Sequence, residues 1–324
     1  MGFAFSRQSF SEDDLLDLHG KVAIVTGGNT GVGYGTVQWL VRKGAKVYVA
    51  GRSEERVSEA IKQLEAEDNK DGTLHFLKTE LSDPRLAKQA AEEFLQKESR
   101  LDILVNNAAI GARGPYKVTK DGLLDIMATN HVGHFVLTEN LLPLLKTTAA
   151  EDGSDVRIVN ISSVAHERVV PESLVGKETL NKDFGNTFFG YLDTYGLSKL
   201  ANILHIKSLQ KQLDAENVPI TCIAVHPGAV ASVGANAFLY GVPYAGKFVA
   251  TFLGPLFFIP WLQGARTSAF AAAGKAVKDD VKKYKGAYLV PVAKLAEPSA
   301  SAKNERLAKE LDETTRAILK EIGV

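Results

Sequence analysis

Short apolar runs rich in Val and Ile recur at residues 21–26, 46–50, 74–78, 103–106, 156–161 and 219–225. Each is nearly continuous in hydrophobicity rather than alternating, as a strand covered on both faces of a parallel sheet must be. Between them lie segments of helical length with apolar positions three and four apart, at 32–42, 54–67, 87–97, 123–145 and 195–213. A last strand near 287–290 and a helix from 305 to about 320 follow. This alternation predicts an α/β fold, a doubly wound parallel sheet of about seven strands with helices on both faces. No repeat and no low-complexity linker interrupts 1–324, so one domain is expected.

Two stretches break the rhythm, 164–192 and 230–262, and both follow the C-terminal ends of predicted strands. Open α/β sheets bind ligands at those ends, and long irregular connections in compact domains are usually functional. Both are expected to form the substrate pocket and its lid. Residues 1–19 mix aromatic residues with Glu12, Asp13, Asp14 and Asp17 and read as an arm on the domain surface.

Composition narrows the classes. The 324 residues carry 38 basic and 38 acidic side chains, which gives no overall field to attract nucleic acid or an anionic membrane. One cysteine, Cys222, rules out an internal disulfide and sits in an apolar run as a core residue. The N-terminus lacks a basic segment followed by an apolar core, so no signal peptide and a cytoplasmic location are expected. The longest apolar stretch, 248–262, is broken by Gly254, Pro255 and Pro260 and is shorter than the roughly 20 residues of a spanning helix. It reads as a buried substrate wall, with peripheral membrane contact the less favoured alternative. His131, His134, His166 and His226 share no ligand spacing and there is no cysteine cluster, so no metal site is expected.

The first predicted strand runs straight into Gly27-Gly28-Asn29-Thr30-Gly31-Val32-Gly33, and a helix begins there. A dinucleotide pyrophosphate needs a tight turn, close backbone approach and free N–H groups at a helix N-terminus. Glycines at 27, 31 and 33 supply these. At the end of the second strand, where an NAD site places an acid on the ribose 2′-hydroxyl, this chain has Gly51 and then Arg52. A guanidinium pairs with a 2′-phosphate that a carboxylate would repel, so NADP(H) is the expected cofactor.

The glycine spacing resembles the TGxxxGxG motif of the short-chain dehydrogenase/reductase family. Asn106-Asn107-Ala108-Ala109 resembles its NNAG signature with Ala109 in place of glycine. Ile161-Ser162-Ser163, Tyr195-Gly196-Leu197-Ser198-Lys199 and His226-Pro227-Gly228 follow in the family's order. The resemblance covers about residues 20–290, and the loop wording with Ser-Lys-Leu-Ala-Asn-Ile-Leu at 198–204 is similar to the retinol-dehydrogenase-like branch. It implies a Rossmann-type fold. It also implies cofactor contacts from Asn29, Thr30 and Val32 in the loop, from Asn107 and Ala108, and from Tyr195 and Lys199. Glu80-Leu81 stands where the family has Asp-Leu or Asp-Val at the adenine. Pro227, Val230 and Ser232 match its PGxVxT, with Ser232 in the place of the threonine on the carboxamide.

Carbonyl reduction needs a hydride donor, a hydrogen bond to the oxygen, and a proton for the developing alkoxide. Tyr195 and Lys199, four apart on a predicted helix, share a face, and a neighbouring ammonium should lower the phenol's pKa. The spacing alone is weak, since Tyr116 and Lys120 repeat it where no catalytic role is expected. Ser163 ends a strand ahead of Tyr195, and Ser162 should face the other way. The resemblance adds Asn130, which in the family holds a water in a proton relay to the lysine through a helix irregularity.

The expected function is an NADP(H)-dependent ketone or aldehyde reductase or alcohol dehydrogenase acting on a bulky apolar molecule, as monomer or homodimer. A catalytically silent nucleotide-sensing or scaffold protein is the alternative, against which the complete set of Asn130, Ser163, Tyr195 and Lys199 argues. Phe188, Phe189, Phe238, Tyr240, Tyr244, Phe248, Phe252, Phe257, Phe258 and Trp261 fall in the pocket-forming stretches. They suggest an apolar substrate without choosing among terpenoid, polyketide, retinoid-like and xenobiotic carbonyls, the first two of which would place the enzyme in secondary metabolism.

Overall fold

The computed structural model describes residues 10–67, 72–228 and 261–324. Among them eight strands form one sheet: β1 Val22–Thr26, β2 Lys46–Gly51, β3 Thr73–Lys78, β4 Ile103–Asn106, β5 Val156–Ile161, β6 Ile220–Val225, β7 Tyr288–Val290 and β8 Lys294–Ala296. Their order is β3-β2-β1-β4-β5-β6-β7-β8, parallel throughout except for β8, which pairs antiparallel with β7. The strand order reverses between β1 and β4, and the crevice above that switch point is where such sheets take ligands.

The helices are α1 Gly31–Arg42, α2 Glu54–Ala66, α3 Pro84–Lys97, α4 Asp125–Met127, α5 Gly133–Ala149, α6 Lys177–Leu180 and α7 Phe188–Ala215. Beyond β6 come α8 Trp261–Ala273, α9 Lys275–Asp279, α10 Val281–Tyr284 and, last, α11 Glu305–Glu321. A π-helical turn, Ala128–Val132, joins α4 to α5.

Successive strand residues serve opposite faces, which explains the unbroken apolar runs. Val22, Ile24, Tyr48 and Ala50 pack with α3, α5, α7 and α11, whereas Ala23, Val25, Val47 and Val49 pack with α1, α2 and α8. The sheet therefore has a full core on each side. Residues of the N-terminal arm contribute to the second core. Phe10 meets Trp39 edge-on at 5.3 Å, Leu15 is fully buried, and the Leu16 N–H donates to the Ala273 carbonyl.

β8 and the helices α8, α9 and α10 were not anticipated. β8 is three residues long at an edge, too short to show a period. α8 is alanine-rich and lies against α1, with Thr36 Oγ1 2.6 Å from Ser268 Oγ. The stretch 164–192 is also less irregular than expected. It holds a 3-10 turn, Val164–Arg168, then α6, and α7 begins seven residues before Tyr195. Most of 230–262 lies outside the described residues, with Val230, Ser232, Phe238, Tyr240, Tyr244, Phe248, Phe252, Phe257 and Phe258.

Candidate active site

β1 ends at Thr26 and the chain turns through Gly27, with φ at +62°, towards α1. A Cβ on Gly33 would lie 2.3 Å from the Gly27 carbonyl oxygen, so the loop closes on the helix only without a side chain. Thr30 precedes α1 with no side-chain hydrogen bond to it, leaving first-turn N–H groups for an anion. These features fit a dinucleotide pyrophosphate.

One cleft of about 1840 Å³ runs over this loop. That exceeds the roughly 300–1,000 Å³ of a single small-molecule site, leaving room for a cofactor and a second molecule. Gly27, Asn29, Thr30, Gly31 and Val32 line one end, with Arg52, Glu80 and Leu81. Asn107, Ala108, Ser163, Tyr195, Lys199 and Pro227 line the other. Gly33 lies beneath the loop rather than on the wall, as its contact with Gly27 requires.

The Arg52 side chain is 76% exposed, with Nε 3.7 Å from Glu80 Oε2. Glu80 Oε1 accepts hydrogen bonds from the Ser82 N–H and hydroxyl. Arg56, one turn into α2, also lines the cleft. No motif points to Arg56; only the fold of α2 against the cleft brings it there.

Ser163 caps the 3-10 turn, its Oγ accepting from the Ala165 N–H, and His166 Nδ1 lies 2.7 Å from the Ser163 carbonyl oxygen. Ser162 also borders the cleft, but its Oγ is spent on the Lys199 carbonyl, to which it donates at 2.8 Å. Gly196 brings α7 to the serine, since a Cβ there would meet the Ala165 carbonyl oxygen at 2.5 Å.

Tyr195 and Lys199 share a face of α7, with Nζ 5.5 Å from the phenol ring centroid. The direction of the Tyr195 shift corrects the expectation. Burial pushes the phenol up to about 12, and a hydrogen bond with the Ser163 side chain opposes this. Lys199 does not pull it down, because burial brings that amine itself down to about 7 and Nζ donates to the Ile161 carbonyl at 3.0 Å.

Asn130 is fully buried behind the cleft wall, in the π turn. Its Oδ1 accepts from the Ile110 N–H, and its Nδ2 donates to the Ile110 carbonyl and to Ser198 Oγ. Ser198 Oγ in turn donates to the Tyr195 carbonyl at 2.7 Å. Thr26 and Ser198 are buried polar partners that lie inside the quoted motifs, with no site role expected for either.

Tyr116 is not remote from the site. Its hydroxyl donates to the Tyr191 carbonyl, one turn before Tyr195 on α7, and it stacks edge-on against Tyr191. Phe188 and Phe189 do not line the cleft; Phe189 is 62% exposed, with the Arg168 guanidinium over its ring at 5.6 Å. Among the described residues no cluster of three or more His, Cys, Asp or Glu side chains suits a metal, and no helix is long and apolar enough to cross a membrane.

A switch-point crevice over a glycine loop, with a serine, a tyrosine and a lysine at its far end, defines a dinucleotide-dependent oxidoreductase site. Comparison with known proteins agrees. A sequence model of the short chain dehydrogenases matches residues 21–175. The chain is 45% identical to a short-chain dehydrogenase/reductase of Armillaria gallica, covering 96% of each chain. It is 35% identical to mouse retinol dehydrogenase 12, covering 91% of this chain and 85% of that protein. The solved RhlG/NADP complex of Pseudomonas aeruginosa superposes with a TM-score of 0.62 at 25% identity, covering 85% of this chain and 96% of that one. The chain belongs to the short-chain dehydrogenase/reductase family of nicotinamide-dependent oxidoreductases, close to its retinol-dehydrogenase-like branch.

Proposed function

We propose that the protein is an NADP(H)-dependent oxidoreductase acting on the alcohol or carbonyl group of a bulky apolar molecule. The single observation that carries this is the convergence of Ser163, Tyr195 and Lys199 on the same cleft as the glycine loop. The bound nicotinamide supplies or takes the hydride. Ser163 Oγ donates a hydrogen bond to the carbonyl oxygen, stabilising charge as it develops. The Tyr195 hydroxyl delivers the proton to that oxygen, and its raised pKa keeps it protonated through neutral pH, the state an acid needs for reduction. Lys199, its amine buried beside the phenol, would hold the cofactor ribose and return a proton to Tyr195, with Asn130 on the relay side.

NADP(H) is supported by Arg52 and Arg56 at the adenosine end and by Gly51 in place of an acid. An apolar substrate is supported by Ile110, Val118, Val164 and Leu192 around the other end. Val118 and Val164 leave 68% and 51% of their surface exposed there, apolar area that a ligand would cover.

The test is NADPH oxidation against a panel of ketones and aldehydes. Tyr195→Phe should keep NADPH binding while kcat falls at least about a hundredfold, the scale of general acid catalysis. A Tyr195→Phe enzyme of full activity would overturn the assignment.

A further inference from the structure

Beneath the cleft, one buried imidazole joins two parts of the site that sequence motifs treat separately. His134 lies on α5 one turn after Asn130 and is 2% exposed. Its Nε2 is 2.8 Å from Thr26 Oγ1 at the end of β1, and its Nδ1 is 3.2 Å from the Asn130 carbonyl oxygen in the π turn.

The partners assign the proton. Thr26 Oγ1 accepts from the N–H of Asn107 at 2.8 Å and of Ala108 at 3.0 Å, which occupies both lone pairs of a hydroxyl. Its own hydrogen must be donated, and His134 Nε2 at 2.8 Å is a nearer acceptor than the Val105 carbonyl at 3.4 Å. A neutral imidazole nitrogen that accepts carries no hydrogen. The proton is therefore on Nδ1, directed at the Asn130 carbonyl.

We infer that His134, neutral and protonated on Nδ1, is a positioning residue that ties the Asn130 carbonyl to the Asn107–Ala108 backbone through Thr26. The inference rests on the reading of the cleft proposed above. The Asn130 amide is already committed to Ile110 and Ser198, so the carbonyl is the group whose direction His134 sets. The strut thereby fixes the proton-relay side of the site relative to the strand end that meets the cofactor. Burial holds the imidazole down to about 3, with Lys199, His205 and His131 as its titratable neighbours, so it keeps one protonation state where a relay must work.

A packing role would ask only for a ring of the same size. The hydrogen-bonding role asks for a donor at the position of Nδ1. His134→Phe removes both hydrogen bonds and keeps the ring; the amide of His134→Asn restores a donor near the Nδ1 position. Carbonyl reduction by folded His134→Phe should lose roughly threefold to tenfold in kcat, the scale of one neutral hydrogen bond, and His134→Asn should recover most of it. Full kcat in His134→Phe, or no recovery in His134→Asn, would overturn the inference.

A second readout does not depend on turnover. In protein labelled with 15N-histidine, with and without NADP+, the imidazole signal missing from His134→Asn should remain neutral and protonated on Nδ1 between about pH 5 and 8. A proton on Nε2, or titration within that range, also overturns it. Failure of the functional reading would look different: no NADPH oxidation with any carbonyl, whichever tautomer is found.

Discussion

Lys199 is the residue at which the proposed role and stability conflict most openly. Its amine is buried and brought down to about 7 from its ordinary value near 10.5. Between these values the unfolded chain binds the proton and the folded chain does not, so stability must rise with pH across that window. Above about pH 10 the sign reverses, because unfolded Tyr195 ionises while the buried phenol holds its proton to about 12. Lys199→Met, which keeps the length without the charge, should be inactive and should melt higher than the wild type at pH 7, by roughly 2 °C or more. The gap should close by about pH 10; thermal denaturation from pH 6 to 10 would check it, and a Met variant that melts lower at pH 7 would contradict the burial cost. Arg52 presents the opposite case, an exposed cation. A charge-assisted contact is worth about 1.5–3 kcal/mol, and exposure puts this one at the low end, so Arg52→Ala should raise the KM for NADPH about tenfold. The KM for NADH should barely move; equal changes would remove Arg52 from phosphate recognition. Ser163, Tyr195 and Lys199 were legible because their motifs stand in a fixed order along the chain. The sign of the Tyr195 shift was not, because it depends on burial and on where Lys199 Nζ points. Tyr116 also shows the limit of spacing, since it repeats the Tyr195–Lys199 interval yet its hydroxyl is spent on the Tyr191 carbonyl.

At the scale of elements, α7 carries Tyr195 and Lys199, and its approach to the turn Val164–Arg168 sets their distance from Ser163. Gly196 is the contact point, with backbone rather than a flexible side chain opposite it. On helix propensity alone, Gly196→Ala should stabilise the chain by about 1 kcal/mol. The new methyl would instead stand 2.5 Å from the Ala165 carbonyl oxygen, and separating the two pieces costs more than the propensity gain. Gly196→Ala should therefore lower Tm and reduce kcat at least about tenfold, with NADPH affinity changing less. Melting curves and steady-state kinetics would check this, and a more stable, fully active variant would show that α7 can shift freely. The strands other than β8 and most helices were readable from periodicity, because a sheet covered on both faces leaves unbroken apolar runs. α8 was not, since Ala265, Ala269 and Ala272 can lie against α1 without the large side chains that mark a period. The π turn at Asn130 was expected only through family resemblance; nothing in the residue pattern of 123–145 announces it.

For the molecule as a whole, the open question is which parts of the cleft wall can move. The length and irregularity of 164–192 suggested a lid, but α11 bolts down its middle. Glu310 accepts from the Ser173 hydroxyl and the Leu174 N–H, Thr314 donates to the Leu174 carbonyl and accepts from the Gly176 N–H, and Arg306 donates to the Glu172 carbonyl. α11 is itself capped by Asn304, whose Oδ1 accepts from the N–H groups of Arg306 and Leu307. These contacts join segments more than 130 positions apart, so no local pattern could reveal them. Hydrogen exchange should find the amides of Leu174 and Gly176 protected in the free protein and unchanged by NADP+, because their partners lie on α11 and not in the cleft. Residues 182–187, between α6 and α7, carry few such ties and should be the part of this stretch that exchanges readily. Glu310→Ala should remove the protection at Leu174 while leaving the sheet amides slow, and Asn304→Ala should produce a weaker version by loosening α11 at a cost of about 1 kcal/mol. The carboxyl of Glu310 is held below its usual range first by the Leu174 N–H. Its contribution should therefore be present at neutral pH and lost on acidification, as the carboxylate takes up its proton. Leu174 and Gly176 exchanging fast in the free protein and slowing on NADP+ binding would mean instead that the whole stretch folds down with the ligand.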